Sequence, residues 1–243
     1  MKGLILSFQL FSRIPIASEV PFERKYLRQA LYFMPFVGLT IGLLTLPVIY
    51  FFYEKSSLLA AVIGLIIYFI LSGGLHLDGL SDAADGFLAN VDEKRTIEIM
   101  HDPQLGLFGN LSLIAYSFLK VAAIEALGLE LLYLIPLSNF LSRLFVLYVI
   151  YRGPLGPSGG FGRSIKEALS SDNWIYLYFL FMIAGLLSWK IWLLIPLIIM
   201  WLVCEIMIFL AEKKIKGLTG DVYGATIEIL ECAALLVMLS IKL

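Results

Sequence analysis

Long apolar runs alternate with short polar connections along the whole chain. A helix rises 1.5 Å per residue, so about 20 apolar residues cross the hydrocarbon layer of a bilayer. Seven runs approach that length: 29–53, 57–75, 105–127, 131–151, 173–189, 191–210 and 224–241. Within each run polarity is uniform rather than alternating, which predicts helices and excludes a transmembrane barrel. The first run holds Pro35 and Pro47 and is long enough to tilt or kink. The fifth and sixth are nearly continuous around Ser188 to Lys190, which predicts a tight helical hairpin or a less regular join. The predicted class is all-α: a polytopic bundle of about seven membrane helices forming one membrane-embedded domain over residues 1–243.

Composition agrees. The 243 residues are 60% hydrophobic and only 15% charged, where a soluble domain carries about 25% charged residues. No basic tract marks a nucleic-acid partner; the environment is the lipid bilayer. Cys204 and Cys232 lie in apolar runs and read as small core residues. Small residues along the spans permit packing between protomers of a homo-oligomer. Residues 1–28 begin like a signal peptide, but Arg13 interrupts the apolar run and Pro15 follows it. They are expected to stay attached, as a segment lying at the interface.

Positive charge sets the expected orientation. With the N-terminus in the cytoplasm, thirteen of the eighteen basic residues fall in inside segments and three in outside ones, while Lys120 and Arg143 lie within spans. The polar segments with chemical content then share the cytoplasmic face of the cell (inner, plasma) membrane. The outer connections are short and nearly featureless.

The first of those segments, "SGGLHLDGLSDAADGF", places Asp78, Asp82 and Asp85 at i, i+4 and i+7. On a helix they fall within about 60° of one face. Carboxylates so close repel unless a cation lies between them. Hard oxygen ligands favour Mg²⁺ when the partner is a phosphate, with Mn²⁺ as a substitute. A solvated acidic face is the plainer reading, against which the flanking glycines weigh: Gly74 and Gly79 let backbone or phosphate approach closely. His76 is a candidate base or ligand. "EIMHDPQLGLFG" adds His101, a candidate phosphate contact, and Asp102. "GLTGDVYGATIEILE" adds Asp221, a candidate ligand or N-cap, and Glu228 on the same face, with Glu231 a turn beyond. Glu228 and Glu231 alternatively pair with Arg143 or Lys120. The loop "RGPLGPSGGFGR" offers Arg152, Arg163 and free backbone amides to a phosphate, or is a plain connector.

"GGLHLDGLSDAADGF", "IEIMHDPQLGLFGNLSL" and "GLTGDVYGATIEILE", in this order, resemble the signature blocks of the cobalamin synthase family, also called adenosylcobinamide-GDP ribazoletransferase. "FSRIPI" and "FMPFVGLTIG" fit the family's usual start. The resemblance implies an integral-membrane, Mg²⁺-dependent transferase that joins adenosylcobinamide-GDP to α-ribazole, or to its 5′-phosphate, and releases GMP. It would be the last assembly step of the coenzyme form of vitamin B12. On that reading Asp78, Asp82 and Asp85 hold metal on the diphosphate, and Asp102 or Asp221 completes the shell. A carboxylate or His76 takes the hydroxyl proton, and Arg152 or Arg163 binds phosphate. CDP-alcohol phosphotransferases and membrane prenyltransferases use similar aspartate helices, but "DGLSDAADGF" lacks the Ala-Arg pair of the former, and the chain lacks the second aspartate-rich block of the latter. A cation transporter is a third reading, disfavoured by the featureless outer connections.

Overall fold

The computed structural model describes residues 1–157, 159–170, 172 and 174–242. The described chain is a helical bundle of eleven α-helices: α1 (Lys2–Phe11), α2 (Arg24–Tyr53), α3 (Ser57–Ser72), α4 (Leu75–Leu88), α5 (Glu93–Met100), α6 (Leu107–Ala126), α7 (Leu134–Arg152), α8 (Phe161–Leu169), α9 (Trp174–Trp189), α10 (Leu194–Ile215) and α11 (Gly220–Lys242).

Each of the seven predicted runs contains a helix, and by length and apolar composition five or six segments can cross a membrane. Five segments are long and apolar enough to cross alone: α2, α6, residues 129–152 with α7, residues 191–215 with α10, and α11. α3 and α9 have 16 residues each, about 24 Å at 1.5 Å per residue, short of a hydrocarbon layer of about 30 Å. α3 reaches crossing length only together with α4, and those two axes meet at 95°. The bend lies at Gly73 and Gly74, both left-handed with φ of +75° and +71°, a conformation that favours glycine. The turn lays α4 antiparallel against the start of α11, His76 meeting Gly224 and Gly79 meeting Asp221. α9 and α10 are joined by a single 3-10 turn at Ile191–Leu193, the less regular of the two joins expected.

Burial identifies the central helices. The apolar stretch of 129–152 is 89% buried and that of α11 is 67% buried, against 28–39% for α2, α6 and α10. α7 and α11 therefore form the axis, and the others keep a face for lipid. α2 closes on α7 through Gly38 and Gly42, one turn apart: added Cβ atoms would come within 2.4 Å of the Asn139 carbonyl and of Pro136 Cα. Such small-residue stripes let membrane helices approach without a hydrophobic driving force. Pro35 and Pro47 lie inside α2 without ending it. α1 docks on α2, with Gly3 against Gln29.

Candidate functional site

α4 and α11 cross in close contact, and glycines set the distance. A Cβ on Gly79 would lie 2.6 Å from the Asp221 carbonyl oxygen, and one on Gly224 would lie 3.2 Å from His76 Cα. Gly79, expected near phosphate, is thus the point where α4 rests on the head of α11. This contact brings the aspartates of α4 beside Asp221. Asp78 is exposed and Asp82 half-buried. Burial, then the charges of Asp78, Asp221 and Asp85, push the Asp82 carboxyl up to about 7.

Asp85 departs from the expected metal face. Its carboxylate accepts from the Gly106 and Gly109 amides, both at 2.8 Å. These donors belong to the first turn of α6, whose own N-cap, Gly106, offers no side chain. Asp85 is therefore the cap of α6, supplied from a neighbouring helix and favoured by the positive end of the helix dipole. Gly106 and Gly109 are bare because Cβ atoms there would fall within 2.4 Å of that carboxylate. Neither the catalytic nor the metal role expected of Asp85 is needed to explain its burial.

Beside the α4–α11 contact lies a cavity of about 280 Å³. Asp78, Asp221, Thr219 and His101 form its polar rim; Met34, Ile150 and Ile227 line it more deeply. His76 and Tyr223 are buried and line it too. His76 Nδ1 is turned toward Glu228 Oε1, 3.8 Å away.

Glu228, a candidate ligand by sequence, is fully buried and belongs to a charge network inside the bundle. Tyr68 donates to Glu228 at 3.1 Å and to Glu231 at 3.0 Å. Glu231 pairs with both Lys120 and Arg143. Two carboxylates and two cations from α6, α7 and α11 thus neutralise one another where lone charges would be very costly. Glu228 contributes to this network, behind His76, and does not line the cleft.

The remaining candidates sit apart. Asp102 is exposed and accepts from the Gln104 amide at 2.9 Å, a local turn. Gly74 serves the α3–α4 bend. Arg152 and Arg163 are exposed, outside the cavity lining. The glycine-rich loop is bound to the segment before α11: Gly156 N–H donates to Leu218 O at 3.0 Å, and Leu218 N–H to Pro154 O at 2.9 Å. Gly162 lies against the Gly220 backbone. Most of its glycines therefore serve close packing, although Gly159 and Gly162 also reach the cavity. The prediction that the loop 152–163 cradles phosphate includes Ser158, outside the described residues. Sequence reasoning did not single out Tyr223, Phe161 or Lys166. Lys166 Nζ donates to the Ile150 and Tyr151 carbonyls, in the last turn of α7, and ties α8 to that helix end; only its position in the helix could have signalled this.

Among the described residues, no three His, Cys, Asp or Glu side chains converge into a ready metal cage. Mg²⁺ bound together with a phosphate needs only one or two carboxylates, the rest being phosphate oxygens and water. Asp78 and Asp221 on one rim, with Asp82 beside them, fit that requirement.

The described residues form a helical membrane bundle with a carboxylate-rimmed cleft at the end of its central helices, an arrangement suited to an integral-membrane enzyme. The chain belongs to the cobalamin-5-phosphate synthase family, whose model matches residues 3–239. It is 32% identical to an adenosylcobinamide-GDP ribazoletransferase of Treponema denticola, with 97% of this chain and 96% of that one covered. Similar relatives of the same name occur in Desulfitobacterium hafniense, 32% identical over 97% and 96% of the two chains, and Pseudomonas aeruginosa, 33% identical over 98% of each. No solved structure matches.

Proposed function

We propose that this chain performs the last assembly step of cobalamin, joining adenosylcobinamide-GDP to α-ribazole or its 5′-phosphate with release of GMP. The observation that carries the mechanism is the rim: Asp78 and Asp221, from two helices held together at Gly79, face one cleft. In the reaction a ribose ring hydroxyl of the ribazole, free in both the nucleoside and its 5′-phosphate, gives up its proton as its oxygen bonds to the phosphorus that carries the corrinoid. The bond from that phosphorus to the bridging oxygen breaks, and GMP leaves with the oxygen. Mg²⁺, when bound, neutralises the diphosphate and the charge developing on the leaving phosphate. Asp78, Asp82 and Asp221 would hold it.

The protein's other work is placement. His76, in the cleft and backed by Glu228, orients the acceptor hydroxyl. A rim carboxylate not engaged by the metal is placed to take its proton. Basic residues predominate in the connections on the same side as the cleft, which supports a cytoplasmic site in a multi-pass protein of the plasma membrane.

The test uses purified protein with adenosylcobinamide-GDP, α-ribazole and Mg²⁺, and reads GMP. Release that needs both ribazole and divalent metal is expected, and Asp82→Asn should abolish it in a protein that still inserts. GMP release indifferent to ribazole, or full activity of the variant, would overturn the assignment.

A further inference from the structure

The cleft continues well past the groups that a diphosphate needs. Along α11 it runs from Asp221 through Gly224 to Ile227, six residues or about 9 Å at 1.5 Å per residue. Over that length the lining changes character. Rings of Phe11 and Phe161 flank it, and Met34, Ile150 and Ile227 line its inner part. The Tyr223 hydroxyl and His76 Nδ1 are shut inside the protein, so this wall stays largely apolar up to the rim.

We propose that the inner half of the cleft binds the flat heteroaromatic base of the acceptor nucleoside, leaving its ribose hydroxyl at the carboxylate rim. This rests on the function proposed above. Three rival occupants fit less well. A corrinoid ring is far too large for a cavity of about 280 Å³. Guanine carries donors and acceptors around its whole edge, and a largely apolar wall would leave most of them unpaired. An acyl chain would fill the space but bring no polar group to the carboxylate rim. A benzimidazole-type base has an apolar body and few polar atoms, which matches the lining. On this reading Ile227, two turns below the rim, limits the size of the base.

Ile227→Phe shortens the cleft and Ile227→Ala deepens it. Equilibrium dialysis of α-ribazole against the full-length protein in detergent, with EDTA and no donor, reads the site without turnover. Saturable binding to the unaltered protein is expected, weakened about tenfold or more by Ile227→Phe, the scale on which a pocket discriminates one group too many. In steady state the KM for α-ribazole should rise by a like factor while the KM for adenosylcobinamide-GDP stays within about twofold. Ile227→Ala, which keeps the test available if the larger residue prevents folding, should shift kcat/KM toward nucleosides with bulkier bases. Absent ribazole binding, or binding unchanged in both variants, overturns the proposal. A rise in the donor KM alone would give the cleft to guanine and also overturn it. Displacement of ribazole by added phospholipid, with both KM values unchanged in the variants, would give it to lipid. Failure of the unaltered protein to release GMP would instead strike the reaction itself, and the binding experiment separates the two.

Discussion

Substituting Gly79 by alanine tests whether helix spacing places the reacting groups. The added Cβ would stand 2.6 Å from the Asp221 carbonyl oxygen and 3.0 Å from its Cα, where ordinary contact begins at 3.4 Å. Both are backbone atoms and cannot swing aside, so α4 and α11 must part by about 0.8 Å to restore contact at the oxygen. Overpacking of this kind costs about 1–3 kcal/mol. Alanine's better helix propensity offsets about 1 kcal/mol. The protein should therefore fold, with a small loss of melting temperature in detergent. Its chemistry should suffer much more. Asp78 and Asp221 come from the two helices being separated, and a displacement near 1 Å at a reacting centre costs about a hundredfold in rate. The assay is GMP release beside a melting curve of the same preparation. Gly74→Ala is the comparison: no atom lies within 4 Å of its Cβ, though its φ is +71°. It should lose about 1–2 kcal/mol to left-handed strain and keep far more of the rate. A Gly79→Ala protein with unaltered turnover would refute the reasoning.

Three further outcomes are expected. Asp85→Ala uncaps α6 and should cost about 1–2 kcal/mol, with residual activity well above that of Asp82→Asn; an inactive Asp85→Ala of unchanged melting temperature would return Asp85 to the metal. Glu231→Gln leaves Lys120 and Arg143 undercompensated inside the bundle and should cost about 3–5 kcal/mol, read as lost yield of monodisperse protein; a fully stable variant contradicts the network. The raised pKa of Asp82 means that the metal-free carboxyl is protonated below about 7, so Mg²⁺ binding should release protons at pH 6–7, tighten as pH rises through 7, and become pH-independent well above it; calorimetry in buffers of different ionisation heat measures this, and no proton release at pH 6.5 would show that Asp82 is not a ligand.

The apolar runs were legible because each helix must satisfy its own backbone in lipid, and that requirement is written in uninterrupted hydrophobicity. The number of crossings was not, because it turns on the 95° bend at Gly73–Gly74, and two glycines do not declare an angle. The acidic block was legible as a group, but helical spacing treated Asp85 like Asp78 and Asp82. Its partners are backbone amides 21 and 24 residues away, and amides have no letter in a sequence. The bare glycines of "LGLFG" were the available trace. Glu231 was readable as paired, since a buried acid demands a cation, and Lys120 and Arg143 were the charged residues at hand within spans. The glycine-rich loop was ambiguous for the opposite reason: glycines admit a phosphate and a neighbouring backbone equally well, and Gly153, Gly156 and Gly162 meet residues 217–220.

The buried charge network also bears on how the protein is made. Lys120 and Arg143 enter the bilayer on helices synthesised before α11, and Glu231, their shared partner, arrives only with it. Until then the two cations lack that partner in an apolar surrounding, where an unpaired charge is costly. The same late helix brings Asp221 to the rim. The contact that relieves the waiting cations therefore also completes the carboxylate rim of the cleft.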